Sequence, residues 1–199
     1  EMNTRLQVEH AVTEAVAGVD LVRLQLLIAS GDRLPWTQAQ VASRGHAIEA
    51  RVYAEDPARG FVPQAGPLLL YREPRMPGVR IDSGVVEGGD VPVHYDPLVA
   101  KVIAAAETRP LAIARLISAL RAFPILGVHT NVTFLIGVLE HPRFQAGTVD
   151  TGFLDREAAT LAQSSGDAPD FVREAALQRD DKSAIRSPQS AVNWDPWQS

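Results

Sequence analysis

The segment of residues 46–105 places the strongest constraint on the fold of this chain. It is built from short apolar or alternating stretches that glycine and proline residues separate. In the first stretch Ile48 and Val52 point to one face of a strand and Glu49 and Arg51 to the other, because side chains alternate along a strand. Further strand candidates follow in the stretches PLLLYRE, GVRIDSG and VAKVIAAA. Short strands separated by turns predict an antiparallel sheet or a small barrel.

Helical signals precede this β-rich segment. Asp20 is a good N-cap for a helix with an apolar stripe that ends at Gly31. Thr37 and Gln40 have the spacing of a capping box, which predicts a second, short helix ending near Gly45.

Two more helices are predicted after the β-rich segment. Pro110 stands where a first helical residue belongs, and the apolar stripe that follows it ends before Pro124. A second stripe runs from Val132 to His141. Helices that precede and follow a mainly antiparallel β-rich segment in the sequence predict an α+β fold.

The first ten residues, EMNTRLQVEH, alternate strictly in polarity, which predicts a strand. Apolar residues share one face of that strand. The opposite face carries the polar residues Glu1, Asn3, Arg5, Gln7 and Glu9. A solvated sheet surface is the simplest interpretation of such a face. The particular residue types instead favour a chemical role.

The order of these polar side chains suits a reaction on an anion. Glu1 and Asn3 offer hard oxygen ligands for Mg²⁺, which usually takes one or two protein ligands together with substrate phosphates. Arg5 can hold an oxyanion in a bidentate fork, and Glu9 is a potential general base. Strand geometry would place consecutive members of this row about 6.6 Å apart.

Composition and charge argue against several other functions. The formal net charge is -5 without a long run of one sign, which is not the pattern of a nucleic-acid-binding protein. No stretch of about 18 apolar residues is present, so no membrane span is predicted. The sequence has no cysteine, which excludes thiolate chemistry and agrees with a cytoplasmic location. The five histidines lack the spacing of zinc ligands.

Four stretches, in order along the chain, resemble a known family. They are EMNTRLQVEHAVTE, RGHAIEARVYAEDP, HYDPLVAKVI and LGVHTNVTFL. E-x-N at the end of a strand is shared by ATP-grasp enzymes in general. The longer first stretch resembles the signature of biotin carboxylase, the component found in acetyl-CoA, propionyl-CoA, methylcrotonoyl-CoA and pyruvate carboxylases. The resemblance covers about residues 1–155.

The resemblance implies a domain organisation. Residues 1–31 would be the terminal strand and helix of an ATP-grasp domain, and residues 32–155 a biotin carboxylase C-terminal domain. Residues 156–199 are interpreted as a linker or the start of a connecting domain that docks a carboxyltransferase. The NWDPW stretch near the C-terminus is equally compatible with the edge of that domain and with an unstructured tail.

The resemblance also implies roles at the phosphate side of the site. Glu1 and Asn3 would bind the Mg²⁺ or Mn²⁺ ions that bridge the phosphates of ATP. Arg5 would be the catalytic arginine that holds bicarbonate and stabilises the charge of carboxyphosphate.

Further roles are implied for bicarbonate and biotin. Gln7 and the backbone amide of Val8 would complete the bicarbonate pocket, and Glu9 would be the general base that removes the bicarbonate proton. Arg51 would bind near the ureido oxygen of biotin and stabilise the enolate that captures CO₂. Asp96 either orients a site arginine or acts as a turn carboxylate, of which the second is favoured.

The implied activity is ATP- and bicarbonate-dependent carboxylation of biotin carried on a domain outside this chain. The implied partners are a biotin carboxyl carrier domain, a carboxyltransferase subunit and a second copy in a homodimer. Three arginines fall in the region that forms the dimer interface in the family, and they are either part of such an interface or solvated: Arg72, Arg75 and Arg80.

The sequence shows neither a Gly-rich phosphate loop nor a lysine flanked by methionines that could carry biotin. We therefore expect a piece of a larger enzyme that is inactive by itself. Alternative interpretations are a piece of pyruvate carboxylase, a piece of another ATP-grasp ligase such as a carbamoyl-phosphate synthetase, and a non-catalytic dimerisation or assembly module.

Overall fold

The computed structural model describes residues 2–163, so the predictions for Glu1 and for residues 164–199 lie outside the described residues. Its helices in chain order are α1 (His10–Ala17), α2 (Leu21–Ala29), α3 (Arg109–Arg121), α4 (Val132–Glu140), α5 (Pro142–Gln145) and α6 (Phe153–Gln163). Its strands are β1 (His46–Tyr53), β2 (Glu55–Asp56), β3 (Val62–Pro63), β4 (Gly66–Pro67), β5 (Leu70–Tyr71), β6 (Val79–Ser83), β7 (Asp90–Val91), β8 (Leu98–Ala106) and β9 (Ile125–Leu126). None of the described helices is both long and apolar enough to cross a membrane.

Three strands form the central antiparallel sheet in the order β1-β8-β6. Their register places Arg51 on β1, Lys101 on β8 and Asp82 on β6 side by side. Paired residues of neighbouring strands point to the same face, so this row defines a charged face of the sheet. Ala50 and Val102, one position along their strands, point to the other face and are buried.

Helix α3 covers the apolar face of the sheet. Pro110 lies in its first turn, where the missing N–H costs nothing, and Ile113, Leu116 and Leu120 form a buried stripe. Helix α1 instead contacts β1 and β8, and its buried Ala11 allows a close approach. The sheet is therefore held from one side by apolar packing and from the other by a short helix beside charged residues.

Three two-stranded ladders surround the central sheet: β2-β3, β4-β7 and β5-β9. The turn after β9 needs a glycine. Gly127 has φ +113°, and a Cβ at this position would lie well inside van der Waals contact with the carbonyl oxygen of Pro67. The α+β class with a mainly antiparallel sheet is confirmed.

Several local predictions are confirmed with adjusted bounds. The carboxylate of Asp20 accepts a hydrogen bond from the backbone N–H of Arg23 at 2.8 Å and caps α2. Thr37 and Gln40 form the predicted capping box, but the turn that they start is a single 3₁₀ turn, Gln38–Gln40, that ends well before Gly45.

The strand predicted over the first ten residues is wrong. Residues 2–9 are irregular, and a turn at Val8 and Glu9 leads directly into α1. No strand in the described part of the chain pairs with this segment, and an unpaired strand leaves its backbone groups without partners. The backbone carbonyl of Gln7 instead accepts hydrogen bonds from the backbone N–H and the ring Nδ1 of His10, at 3.2 and 2.7 Å.

Helix α6 runs across the domain boundary predicted at residue 155. Residues 156–163 are therefore helical where the sequence indicated a linker. Phe153 at the start of this helix is buried in a small aromatic cluster with Phe134 and Phe61. The boundaries of the three predicted domains stay predictions.

Candidate functional site

Four of the predicted site residues line one cavity of about 650 Å³. The cavity lies beside residues 2–9, and helices α1 and α2 form most of the rest of its wall, with Trp36 among the other lining residues. The predicted site residues in its lining are Asn3, Arg5, Gln7 and Glu9. The structure therefore brings these side chains together, although they do not share a strand.

Glu9 and Arg51 form an ion pair that joins this cavity to the central sheet. Arg51 Nη2 donates a hydrogen bond to Glu9 Oε2 at 2.8 Å. The side chains are 54% and 39% exposed, and a pair as exposed as this adds about 1 kcal/mol or less to stability. Its importance is geometric, because it connects residues 42 positions apart in the sequence.

Glu49 lies two residues before Arg51 on the charged face of β1, and its side chain is only 5% exposed. Its Oε1 is 3.5 Å from Arg51 Nε, and within the described residues its Oε2 has no hydrogen-bond partner. Burial raises the pKa of Glu49, and this effect outweighs the lowering by Lys101 and Arg51. The guanidinium of Arg51 is thus held between one exposed and one buried carboxylate.

Lys101 connects the sheet to the backbone beside Glu9. Its Nζ donates a hydrogen bond to the carbonyl oxygen of Val8 at 3.1 Å and lies 3.2 Å from Asp82 Oδ2. Only 13% of its side chain is exposed. The peptide that joins Val8 to Glu9 is therefore anchored on β8.

Arg80 extends this network from β6 to α1. Its guanidinium contacts both oxygens of Asp82, at 2.7 and 3.0 Å, and Glu14 Oε2 at 2.7 Å. Hydrogen bonds to Asp82 and Glu14 raise the pKa of Arg80. Burial acts to raise the pKa of Asp82, but the hydrogen bonds and charges of Arg80 and Lys101 together hold it below its ordinary value.

Asn131 positions β1 at Arg51, a role that was not predicted from the sequence. Its Nδ2 donates to the backbone carbonyl of Arg51 at 3.1 Å, and its Oδ1 accepts from the backbone N–H of Tyr53 at 2.9 Å. Its own backbone N–H donates to the carbonyl of Tyr53 at 3.1 Å. Asn131 is buried and belongs to the LGVHTN stretch, which was the available signal.

Asp96 accepts a hydrogen bond from the backbone N–H of Leu98 at 3.0 Å. A side-chain oxygen that bonds the backbone two residues on forms an Asx turn. This agrees with the favoured interpretation of Asp96 as a turn carboxylate. Arg72, another candidate, lies 3.6 Å from Glu87.

Asn3 is the one predicted metal ligand within the described range, and it is exposed at the cavity. No group of three or more His, Asp or Glu side chains that could hold a metal occurs between residues 2 and 163. A single amide oxygen suits Mg²⁺ where further ligands such as phosphate oxygens complete the shell. Asn3 could therefore contribute to a Mg²⁺ site only as one member of a larger ligand set, and the metal ligands stay predictions.

Comparison with known proteins assigns the chain to one class of protein. Residues 49–156 match the family described as the biotin carboxylase C-terminal domain. Residues 1–37 match the ATP binding domain of the carbamoyl-phosphate synthase L chain. The chain belongs to the biotin carboxylase family.

Individual relatives agree with this assignment. The α subunit of mitochondrial methylcrotonoyl-CoA carboxylase from Mus musculus is 46% identical over 179 residues, which is 89% of this chain and 25% of that protein. A biotin carboxylase from Halalkalibacterium halodurans is 49% identical over 154 residues, 77% of this chain and 34% of that protein. The chain thus spans about a quarter to a third of the length of these relatives.

A solved structure is similar over the same region. The biotin carboxylase domain dimer of 2-oxoglutarate carboxylase from Hydrogenobacter thermophilus, in complex with MgADP and bicarbonate, has a TM-score of 0.79 at 37% identity. The match covers 85% of this chain and 36% of that chain.

Proposed function

We propose that this chain supplies the bicarbonate- and biotin-handling part of a biotin carboxylase, which carboxylates biotin on a carrier protein from ATP and bicarbonate by way of carboxyphosphate. The observation that carries the proposal is the ion pair between Glu9 and Arg51 at 2.8 Å. It joins the two sequence stretches to which the family resemblance gives catalytic roles. Family membership and the bicarbonate and MgADP in the Hydrogenobacter structure support the same conclusion.

Glu9 acts as the general base in this proposal. Arg51 holds Oε2, and no hydrogen bond to Oε1 occurs in the described part of the chain, so Oε1 is the oxygen that accepts the bicarbonate proton. A positioned base of this kind typically contributes about 10²- to 10⁴-fold to a rate. Glu9 lines the cavity together with Arg5 and Gln7, which supports a base that works beside an anion held by those two side chains.

Arg5 and Gln7 hold the bicarbonate anion. Among the described residues Arg5 makes only a long contact, at 3.4 Å, with the carbonyl of its neighbour Leu6, so its guanidinium can turn towards an anion at little cost. Bicarbonate is a weak nucleophile, and orientation and charge neutralisation therefore supply most of the acceleration. The backbone amide of Val8 completes the pocket.

Arg51 connects the two half-reactions, which are the formation of carboxyphosphate and the carboxylation of biotin. Its guanidinium is clamped by Glu9 and Glu49, and the side chain keeps enough exposure to meet a second ligand. Biotin, when bound on its carrier, supplies the ring nitrogen that accepts CO₂. Arg51 binds the ureido oxygen and stabilises the negative charge that develops there, while Glu9 has already served the first half-reaction.

The proposed whole enzyme is an acyl-CoA carboxylase of the methylcrotonoyl, propionyl or acetyl type, with Mg²⁺ or Mn²⁺ bound through Glu1 and Asn3. The 46% identity with the mouse methylcrotonoyl-CoA carboxylase subunit supports this class. A carrier domain and a carboxyltransferase are its proposed partners. The dimeric Hydrogenobacter domain supports a homodimer.

The test uses the complete gene product that contains this chain. We expect ADP formation that depends on bicarbonate, and transfer of labelled bicarbonate carbon to biotin. Glu9→Gln should lower ADP formation by about 10²-fold or more, because the base is lost. Glu140→Gln, which removes an exposed carboxylate paired with Arg121, is the matched control and should leave the rate unchanged.

Two results would contradict the proposal. Bicarbonate-independent ATP cleavage would favour another ATP-grasp ligase, and a folded, dimeric protein without ATP cleavage would favour an assembly module. Full activity of Glu9→Gln would remove Glu9 from the role of base.

A further inference from the structure

We infer that Lys101 is a positioning residue for the bicarbonate pocket, which it forms by holding the peptide between Val8 and Glu9. This inference rests on the proposed function and adds a residue outside the catalytic and binding groups of that function. Lys101 has an indirect role and does not contact bicarbonate itself. It acts through the backbone of the residues that do.

The contacts of Lys101 connect three separate parts of the chain. It lies on the middle strand β8, between Arg51 on β1 and Asp82 on β6 in the pairing register. Its Nζ bonds Asp82 at 3.2 Å and the carbonyl of Val8 at 3.1 Å. The Val8 contact is the one that leaves the sheet, and it spans 93 positions of sequence.

Lys101 and Arg51 hold Glu9 at two points. Arg51 donates a hydrogen bond to the carboxylate of Glu9. Lys101 donates one to the carbonyl oxygen of Val8, in the peptide that precedes the Cα of Glu9. Because the two cations are directly paired across β1 and β8, the distance between these two anchor points is set by the sheet. A base that is fixed at its backbone and its side chain is pre-organised, and small misplacements of reacting groups cost large factors in rate.

The segment needs this anchor because it has no strand of its own. Residues 2–9 are irregular, and the backbone hydrogen bonds at Gln7 and Glu9 run forward into α1. The carbonyl of Val8 is turned to the sheet instead, where it meets Nζ. Fixing this carbonyl fixes the peptide plane next to the Val8 amide that is proposed to bind bicarbonate.

The residue type fits this task. A lysine ammonium is a compact charge with three donors, so it can bond a carbonyl and a carboxylate at once. Asp82 is itself oriented by two hydrogen bonds from Arg80, and Arg80 is bonded to Glu14 of α1. Lys101 is also the only lysine among the first 181 residues of a chain in which nearly all basic residues are arginine.

A purely structural role for Lys101 makes a different prediction from a positioning role. If Lys101 only stabilised the fold, its replacement would lower the melting temperature and the fraction of active protein, while the remaining molecules kept their KM for bicarbonate. If it positions the pocket, the KM for bicarbonate rises while the KM for ATP stays the same. The split between these two constants therefore separates the roles.

The experiment measures both KM values and kcat for bicarbonate-dependent ATP cleavage in the complete gene product. We expect Lys101→Met to raise the KM for bicarbonate about tenfold or more, which corresponds to about 1.4 kcal/mol or more. Lys101→Arg keeps the charge opposite Asp82 but moves the donor, so we expect a rise of about threefold or more. Arg121→Met, which removes an exposed ion pair with Glu140, is the matched control and should change neither KM.

An unchanged KM for bicarbonate in either folded Lys101 variant would overturn the inference. The proposed function would still stand in that case, provided that the wild-type protein shows bicarbonate-dependent ATP cleavage. If Lys101→Met does not fold, as judged by circular dichroism, Lys101→Arg decides the question by the same criterion. A wild-type gene product without bicarbonate-dependent ATP cleavage would overturn the proposed function, and the inference with it.

Discussion

The side-chain amide of Asn131 donates a hydrogen bond to the backbone carbonyl of Arg51 at 3.1 Å. Asn131 precedes α4, whereas Arg51 lies on β1, and the same amide group also accepts the backbone N–H of Tyr53. The buried side chain of Asn131 thus makes the hydrogen bonds that a neighbouring strand would otherwise make at this edge of β1. The position of the proposed biotin-binding arginine is therefore set from a stretch 80 residues away.

Replacing Asn131 should weaken this arrangement. In Asn131→Ala the part-buried N–H of Tyr53 and carbonyl of Arg51 lose their side-chain partner, and leaving such polar groups unsatisfied costs about 1–3 kcal/mol. We expect the free energy of unfolding in urea to fall by about this amount. The exposed Asn3→Ala should change it by less than about 0.5 kcal/mol, and equal effects of the two changes would contradict the role of Asn131.

Arg51→Ala should separate the two half-reactions. The change removes the cation proposed to bind biotin, so we expect transfer of carbon to biotin to fall by a larger factor than bicarbonate-dependent ATP cleavage. ATP cleavage itself should fall by a smaller factor, because Glu9 loses the partner that orients its carboxylate. The measurement compares labelled-carbon transfer with ADP formation in the complete gene product.

The control for this experiment is Arg121→Ala, which removes a surface arginine on α3 and should alter neither rate. Arg51→Lys should not restore biotin carboxylation, because an ammonium lacks the planar fork of donors. An equal fall of both rates in Arg51→Ala would contradict the assignment of Arg51 to the biotin step.

The buried carboxylate of Glu49 should make stability depend on pH. Burial raises the pKa of Glu49 above its ordinary value of 4.5, so the folded state binds the proton more tightly than the unfolded state does. The stability that this provides is fully present below the unfolded pKa and is lost as the pH rises through the folded pKa. Above the folded pKa the charged, buried carboxylate therefore opposes folding.

Glu49→Gln removes this dependence. The difference in unfolding free energy between Glu49→Gln and wild type should shift in favour of the variant between pH 4 and pH 7, as measured by urea denaturation at each pH. A difference that stays constant with pH would show that Glu49 has the same pKa in both states.

Much of the fold follows from local signals in the sequence. The alternation in β1, the apolar run of β8 and the stripe of α3 each predict their element because the burial pattern repeats at the period of a strand or a helix. The first ten residues alternate as regularly as β1 but form no strand in their described part. Alternation describes the side chains of a segment and contains no information about whether a neighbouring strand exists.

The candidate site was predictable as a set of residues but not as an arrangement. The resemblance to a known family identified Glu9 and Arg51 as candidates. Their pairing, however, depends on how α1 packs on the sheet. The contributions of Lys101 and Asn131 act on backbone carbonyl groups, which are the same in every residue. No pattern of side chains in a sequence indicates which carbonyl group a distant side chain will reach.

Gly127 offers a test of how tightly the turn after β9 is packed. Its φ of +113° is one that L side chains rarely adopt, and an added Cβ would collide with the carbonyl of Pro67 on β4. Backbone of both segments would have to move, so we expect Gly127→Ala to lower the free energy of unfolding by about 3 kcal/mol or more. Gly60→Ala is the matched control: Gly60 also has a positive φ, +71°, but nothing lies within 4 Å of its added Cβ. Gly60→Ala should lose only the free energy that the left-handed conformation costs an alanine, about 1–2 kcal/mol. An equal loss of unfolding free energy at both positions in urea denaturation would show that the contact with Pro67 does not constrain this turn.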